Sequence, residues 1–371
     1  MIVGVLREPA TETRVSLLPE HLATLQKWKV DILIENNAGA KAFANDDKYI
    51  EAGATITNRD EILQKADIIL SINNFSGDDI SKLKLGSIVL GIYQPFNAAI
   101  IKDWASKGIS VFSIDMIPRT TRAQSMDVLS SQANIAGYKA VLLAANAYSK
   151  YFPMFMTAAG SIPPAKVLIL GAGVAGLQAI ATAKRLGAVI EVFDTRPAVK
   201  EEVMSLGAKF VEVEGAADAS KAGGYAVEQT EEFMQRQKAK IAESVAKADI
   251  VITTAQIQGR KAPVLITTSM IEGMKNGSVI IDIASSTGGN TELTKNNETV
   301  VHHGVSIIGT SQLAGDMPSD ASKLYGKNVL NFLQLIIKDG SLNLNFEDDL
   351  VKGTCIAYNN EVTNERVKSL L

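Results

Sequence analysis

The chain has 371 residues, 46% hydrophobic and 21% charged, more than a single core usually holds, so two domains are expected. Its 37 basic and 40 acidic side chains leave a net charge of −3, with no basic run interleaved with aromatics, which argues against nucleic acid as a partner. No uncharged apolar run approaches the ~20 residues of a membrane span, and no basic, cleavable leader precedes "MIVGVL", so a cytoplasmic protein is expected.

In chain order, "MIVGVL" reads as a strand and "LPEHLATLQKW" as a helix. The connection between them, "LREPATETRVSLLPEH", is charged and glycine-free, unlike a phosphate-binding turn. "LQKADIILSI", "KLGSIVLGIY" and "KGISVFSID" follow as short β-branched runs alternating with helical stretches, the pattern of a parallel sheet covered on both faces. The same series returns, in the same order, as "VAKADIVITTA", "KNGSVIIDIA" and "HGVSIIGTS". One doubly wound α/β plan is thus used twice. Between the copies lies the polar cluster "MIPRTTRAQSMDVLSSQ", Met116 to Gln132, then a long helix, "LSSQANIAGYKAVLLAANAYSKY". A second long helix is predicted in "DASKLYGKNVLNFLQLIIKDG", where Leu324, Val329, Leu330, Phe332, Leu333, Ile336 and Ile337 fall at helical spacing.

The expected architecture is α/β, with two doubly wound Rossmann-like domains across a cleft linked by two long helices. Residues 1–126 with 325–371 would form a domain without a nucleotide fingerprint, and residues 127–324 a nucleotide-binding one. Cys355, the sole cysteine, has no histidine near it in sequence and is expected to pack.

"AKVLILGAGVAGLQAIATAKRLGAVIEVFDTR" carries the most chemistry. Gly171, Gly173 and Gly176 follow an apolar strand and open an alanine-rich helix, and the next strand ends at Asp194, 18 residues beyond the last glycine. Gly171 allows the tight turn, Gly173 lets backbone approach a pyrophosphate, and Gly176 lets helix pack on strand. Asp194 is placed to accept from the adenosine ribose hydroxyls and to repel a 2′-phosphate, favouring NAD over NADP, although Arg196 beside it could accommodate a phosphate. The candidate cofactor-binding residues are therefore Gly171, Ala172, Gly173, Val174, Gly176, Asp194, Thr195 and Arg196. An insertion-like stretch, "ADASKAGGYAVEQTEEFMQRQKAK", reads either as a flap over the nucleotide, with a Gly223-Gly224 hinge and the Tyr225 ring, or as a surface loop.

With "REPATETRVSLLPE", "PRTTRAQSMDVLSSQANIAGYKAV", "MTAAGSIPPAKVLILGAGVAGLQAIATAKRLGA", "AGGYA", "APVLITTSMI" and "GSVIIDIASSTGGN", the chain resembles, along essentially its whole length, the NAD(H)-binding components of proton-translocating transhydrogenases in the alanine dehydrogenase/transhydrogenase family. That resemblance implies hydride transfer from NADH to NADP⁺ held on a partner subunit, with NAD(H) as this chain's cofactor and NADP(H) as the partner's. It also implies a membrane-embedded proton-channel subunit, a homodimer, and a peripheral position on the inner face of the cell membrane. Carried onto the "PRxxRAQSMDxLSS" pattern, it implies that Arg119, Gln124, Asp127 and Ser130 hold the nicotinamide end. It assigns Gly224 and Tyr225 to a mobile loop, and Gln237 and Gln256 join the candidate nucleotide contacts.

Two rivals are an alanine-dehydrogenase-like oxidoreductase and a non-catalytic NAD(H)-sensing module. Relatives of the first kind place a lysine where Ser71 stands and a histidine where "GIYQPF" has Gln94-Pro95. Reducing a keto acid needs a proton donor, and both candidates are missing, whereas hydride exchange between nicotinamides needs none. Arg14, the substrate-carboxylate residue of those dehydrogenases, is retained as inherited architecture. His21, His302 and His303 are read as structural.

Overall fold

The computed structural model describes residues 1–96, 98–213 and 230–369. The chain divides into two compact units: residues 1–132 with 315–371, and residues 133–314. In the first unit, strands β1 (Ile2–Val5), β2 (Asp31–Glu35), β3 (Thr55–Thr57), β4 (Ile68–Leu70), β5 (Ile88–Gly91) and β6 (Ser110–Ser113) form a parallel sheet. Its order is β6-β5-β4-β1-β2-β3, extended beyond β6 by two antiparallel strands from the other end of the chain, Cys355–Tyr358 and Glu361–Val362. The order reverses direction between β1 and β4, and in such sheets the crevice beyond the strand ends at that point is where ligands bind.

The strands are apolar throughout because both faces are covered. Val3, Val5, Ile32, Ile34, Leu70 and Phe112 pack on one side with Tyr325, Val329 and Phe332 of the helix Pro318–Ile336. Ile69, Val89 and Val111 point the other way, against Ile62 and Trp104. Phe112 and Phe332 meet ring to ring at 5.9 Å. The period-2 alternation of each strand thus feeds two cores, not a core and a solvent face.

The second unit begins within the helix Val128–Ala147 and continues through a small hairpin, β7 (Phe155–Thr157) with β8 (Gly160–Ile162). Its main sheet comprises β9 (Lys166–Leu170), β10 (Val189–Phe193), β11 (Lys209–Phe210), β12 (Ile250–Thr253), β13 (Val279–Asp282), β14 (Thr299–His302) and β15 (Val305–Gly309). The order is β11-β10-β9-β12-β13-β15-β14, parallel except where β14 runs against β15. The doubly wound plan is therefore used twice, and here the direction reverses between β9 and β12. Val167, Ile169, Ile252 and Ile281 face one core, and Leu168, Leu170, Val251 and Ile280 the other. Among the described residues, no helix is long and apolar enough to cross a membrane.

Candidate functional site

In the second unit, the glycine turn sits at the carboxyl end of β9, on the reversal point. Gly171 has φ +106°, and a Cβ there would lie 2.5 Å from Thr254 Oγ1, so glycine is required on both counts. At Gly176 a Cβ would stand 1.9 Å from the Gly171 carbonyl oxygen, which fixes how closely the helix Val174–Arg185 approaches the strand. Gly173 differs. It is the N-cap of that helix with φ −78°, a conformation open to any residue, and a Cβ would meet nothing within 4 Å. The protein's own packing leaves this space open, beside N–H groups and the positive end of a twelve-residue helix. A nicotinamide dinucleotide fits it: the turn would hold the pyrophosphate.

Asp194, just past β10, brings its carboxylate back onto the turn. Its Oδ2 accepts from the Ala172 N–H at 2.7 Å and from Arg196 Nη2 at 2.8 Å; its Oδ1 accepts from the Arg196 backbone N–H at 2.8 Å and from Nε at 2.9 Å. The side chain is only 6% exposed. The Asp194 partnership raises the Arg196 pKa against the opposing effect of burial. Both carboxylate oxygens are thus already engaged, and a ribose diol would have to share them with the Arg196 fork or displace it. Sequence reasoning placed Asp194 and Arg196 separately and missed their pairing, for which the two-residue spacing is the only signal.

Of the other candidates, Ala172 is buried and Thr195 half-buried, whereas Val174 lies exposed at the first position of the helix. Gln237 is half-buried on the helix Glu231–Lys247, and exposed Gln256 donates from Nε2 to the Ile283 carbonyl at 3.2 Å. Gly224 and Tyr225, with the expected flap around them, lie outside the described residues.

The far rim of the same crevice carries residues that sequence reasoning did not single out. Thr254 Oγ1 donates to the Gly171 carbonyl at 3.1 Å. Asn290 accepts from the Ala255 N–H and donates to the Ala255 and Pro263 carbonyls. Buried Asp282 holds Asn290 in turn, accepting from its N–H at 2.6 Å and from Thr294 Oγ1 at 2.6 Å. The "GSVIIDIASSTGGN" stretch therefore acts as a brace for the loop after β12, a connected polar network.

In the first unit, the cluster Met116 to Gln132 folds as short turns of 3₁₀ helix between β6 and the helix Val128–Ala147. Its two arginines diverge. Arg122 donates to the Asp348 carboxylate and, at 2.7 Å, to Asp349 at the head of the helix Asp349–Thr354. Arg119 instead lines a cavity of about 300 Å³ with Asp115, Gln124 and Asp127. Asn328 and Asn331 both donate to the Ser125 carbonyl at 2.8 Å, and Ala123 and Met126 are buried in the core, so the loop is held from behind. Asp127 accepts from Ser130 at its N–H, 2.9 Å, and at its hydroxyl, 2.6 Å. Three of the four predicted nicotinamide residues thus share one cavity, and Ser130 reaches it through Asp127.

A larger cavity, about 710 Å³, opens at the first unit's reversal point, lined by Glu8, Ser71, Asn73 and Arg59 among others. Buried Ser71 donates to the Asn73 carbonyl at 2.9 Å and lies 3.1 Å from the Tyr93 hydroxyl, while Gln94 is exposed with φ 45°. Arg14 is committed nearby: Nε and Nη2 donate to Glu12 at 2.8 and 2.6 Å, and Nη1 to Gln132 at 2.8 Å. Burial works against the Glu12 charge, but Arg14 outweighs it and holds Glu12 below the usual carboxylate range. Glu8, which no motif singled out, is pushed the other way by burial despite accepting from Ile72 and Asn73. Cys355 is buried, with its thiol pushed up to about 11 by burial, as expected of a packing residue.

Residues 4–136 match the model of the alanine dehydrogenase/PNT N-terminal domain, and residues 140–365 that of the C-terminal domain. The chain belongs to the alanine dehydrogenase/PNT family. Within that family, an NAD(P) transhydrogenase alpha-subunit protein of Rickettsia prowazekii is 44% identical over 369 residues, covering 98% of this chain and 96% of that protein. An alanine dehydrogenase of Staphylococcus saprophyticus is 25% identical over 385 residues, covering 100% and 97%. The crystal structure of transhydrogenase from Sinorhizobium meliloti superposes with a TM-score of 0.90 at 43% identity, covering 98% of this chain and 100% of that one. The two-domain Rossmann-like fold is thus that of the family, whose cofactor is a nicotinamide nucleotide.

Proposed function

We propose that the chain is the NAD(H)-binding component of a proton-translocating NAD(P) transhydrogenase, passing hydride from NADH to NADP⁺ held on a partner subunit. The observation that carries this reading is the turn at Gly173, open where a Cβ would stand, in a chain 44% identical over nearly its full length to a transhydrogenase alpha subunit and only 25% to an alanine dehydrogenase.

When bound, NAD(H) supplies the hydride at its nicotinamide ring; the protein's part is to bind and orient. Gly171, Gly173 and Gly176 shape the turn for the pyrophosphate, and Asp194 shares its oxygens with the ribose as the Arg196 fork yields. Arg119 and Gln124 donate to the nicotinamide end, with Asp127 and Ser130 keeping their loop in register. Exchange between two nicotinamides requires no residue to deliver a proton. Ser71 and the Arg14–Glu12 pair suit that requirement, since neither leaves a lysine, a histidine or an uncommitted cation for a keto acid.

Partner subunits, one binding NADP(H) and one conducting protons through the membrane, complete the reading, with this chain peripheral on the inner membrane face. A homodimer is supported by the β7–β8 hairpin, where Tyr151, Met154, Phe155, Met156 and Ile162 are all exposed and the Tyr151 and Phe155 rings stack at 4.8 Å. The test is a pair of assays on the purified chain. NADH should not be consumed with pyruvate and ammonia, and should be consumed with NADP⁺ only when an NADP-binding partner is added. Turnover in the first assay would support the dehydrogenase instead.

A further inference from the structure

Among the described residues, metal-ligating side chains gather at one place away from both cavities, where β14 turns into β15 beside the helix Thr268–Glu272. His302 pairs with Val305, so His303 and Gly304 form a two-residue loop, and both have positive φ, 48° and 72°. That is the hairpin turn usually built from Asn-Gly or Asp-Gly. Histidine in the left-handed position is uncommon enough to ask what it does there. Neighbouring side chains on a strand point to opposite faces. The left-handed backbone at His303 breaks this alternation, and the two imidazoles lie side by side, 4.9 Å between centroids. A Cβ at Gly304 would fall 2.2 Å from Asn276 Oδ1, which holds the loop in this form.

Glu272, the last residue of its helix, aims at both rings. Its Oε1 is 3.1 Å from His302 Nε2 and 3.9 Å from His303 Nε2, and one ligand atom from each of the three residues lies within 4.8 Å of the others. A tetrahedral zinc ion, with bonds near 2.0–2.2 Å, sets its ligand atoms roughly 3.3 Å apart. The Glu272–His302 edge already has that spacing, and the other edges close by side-chain rotation, since all three groups reach solvent. We infer that Glu272, His302 and His303 form a surface site for a divalent transition-metal ion of the zinc class, with water at the fourth position. Two imidazoles and one carboxylate suit zinc over magnesium or calcium, which prefer oxygen. The ion would tie the hairpin loop to the helix end and stabilise the folded second unit by mass action.

The test titrates the tag-free full chain with zinc chloride by calorimetry and follows its thermal unfolding. The expected result is one zinc ion per chain in the micromolar range and a rise in Tm that a chelator reverses. His302→Ala and His303→Ala should each weaken binding about tenfold or more, at least the cost of disturbing a ligand's surroundings. NADH affinity should not change. His21, the remaining histidine, is buried against the Leu18 N–H and the Lys323 carbonyl and offers no competing site. Cobalt(II) should give a tetrahedral visible spectrum with the parent chain and lose it in His302→Ala. The inference is overturned if the parent chain takes up no zinc in that range, or if the double variant His302→Ala, His303→Ala binds zinc as the parent does.

Discussion

Replacing Gly173 by alanine separates what the fold needs from what the nucleotide needs. The added methyl would meet no protein atom within 4 Å, and φ −78° suits alanine as well as glycine. Restricting the unfolded chain should then stabilise by about 0.4–1 kcal/mol. Against that, alanine is a poorer N-cap than glycine, at a cost of about the same size. The two nearly cancel, so the Tm of Gly173→Ala should stay within roughly 4 °C of the parent. Binding should behave differently, because the methyl would occupy the space through which the turn approaches the pyrophosphate; NADH affinity should fall about tenfold or more, a loss of ~1.4 kcal/mol or greater. Gly176→Ala is the contrasting case: its methyl would overlap the Gly171 carbonyl, and overpacking there should cost about 1–3 kcal/mol of stability. Calorimetric NADH titration and thermal melts on the same preparations read both quantities. If Gly173→Ala binds NADH like the parent, the turn does not carry the pyrophosphate, and if it melts far lower, the open space is not real.

Asp194→Ala should cost about 1–3 kcal/mol of NADH affinity, and Arg196→Ala, by stripping the carboxylate of its neutralising partner, should widen the preference for NADH over NADPH in titrations of the two nucleotides. Arg119→Ala and Gln124→Ala should lower hydride transfer in the reconstituted complex by about an order of magnitude or more while NADH affinity falls much less, since a ring misplaced by ~1 Å is enough; abolished binding or unchanged transfer would refute the assignment. Glu12 is held below its ordinary 4.5, so its contribution to stability is present above that value and lost as pH falls through the lower folded value. Melts taken from neutral pH down to about pH 3 should therefore show a shallower acid loss in Glu12→Gln than in the parent. Phe155→Asp together with Met156→Asp should shift the chain toward monomer in sedimentation, and an unchanged mass would remove the hairpin as the dimer surface.

The two sheets were legible because strands buried on both faces are written as continuous β-branched runs, and the repeated series "ADIIL" and "ADIVI" fell on the equivalent strands β4 and β12. The glycine turn was legible for a related reason: backbone constraints leave only glycine at Gly171 and Gly176. Partnerships between side chains were not. Arg119 and Arg122 sit in the same short motif, and only the fold reveals that one anchors to Asp348 and Asp349 while the other lines a cavity. The Asp194–Arg196 fork and the commitment of Arg14 to Glu12 depend on rotamers and local turns, which spacing alone does not encode. Asp282 and Asn290 escaped notice because a buried brace has no motif of its own, and Glu8 because its altered acidity comes from burial.

The central claim is transhydrogenation, and its most direct measurement adds the purified chain to membranes that hold the NADP-binding and proton-conducting subunits but lack this component. With NADH and NADP⁺ present, NADPH formation should appear on adding the chain and should saturate as its sites fill. Gly173→Ala should require far more NADH to restore the same rate. No NADPH formation at saturating chain and NADH, with parallel consumption of NADH by pyruvate and ammonia, would contradict the account.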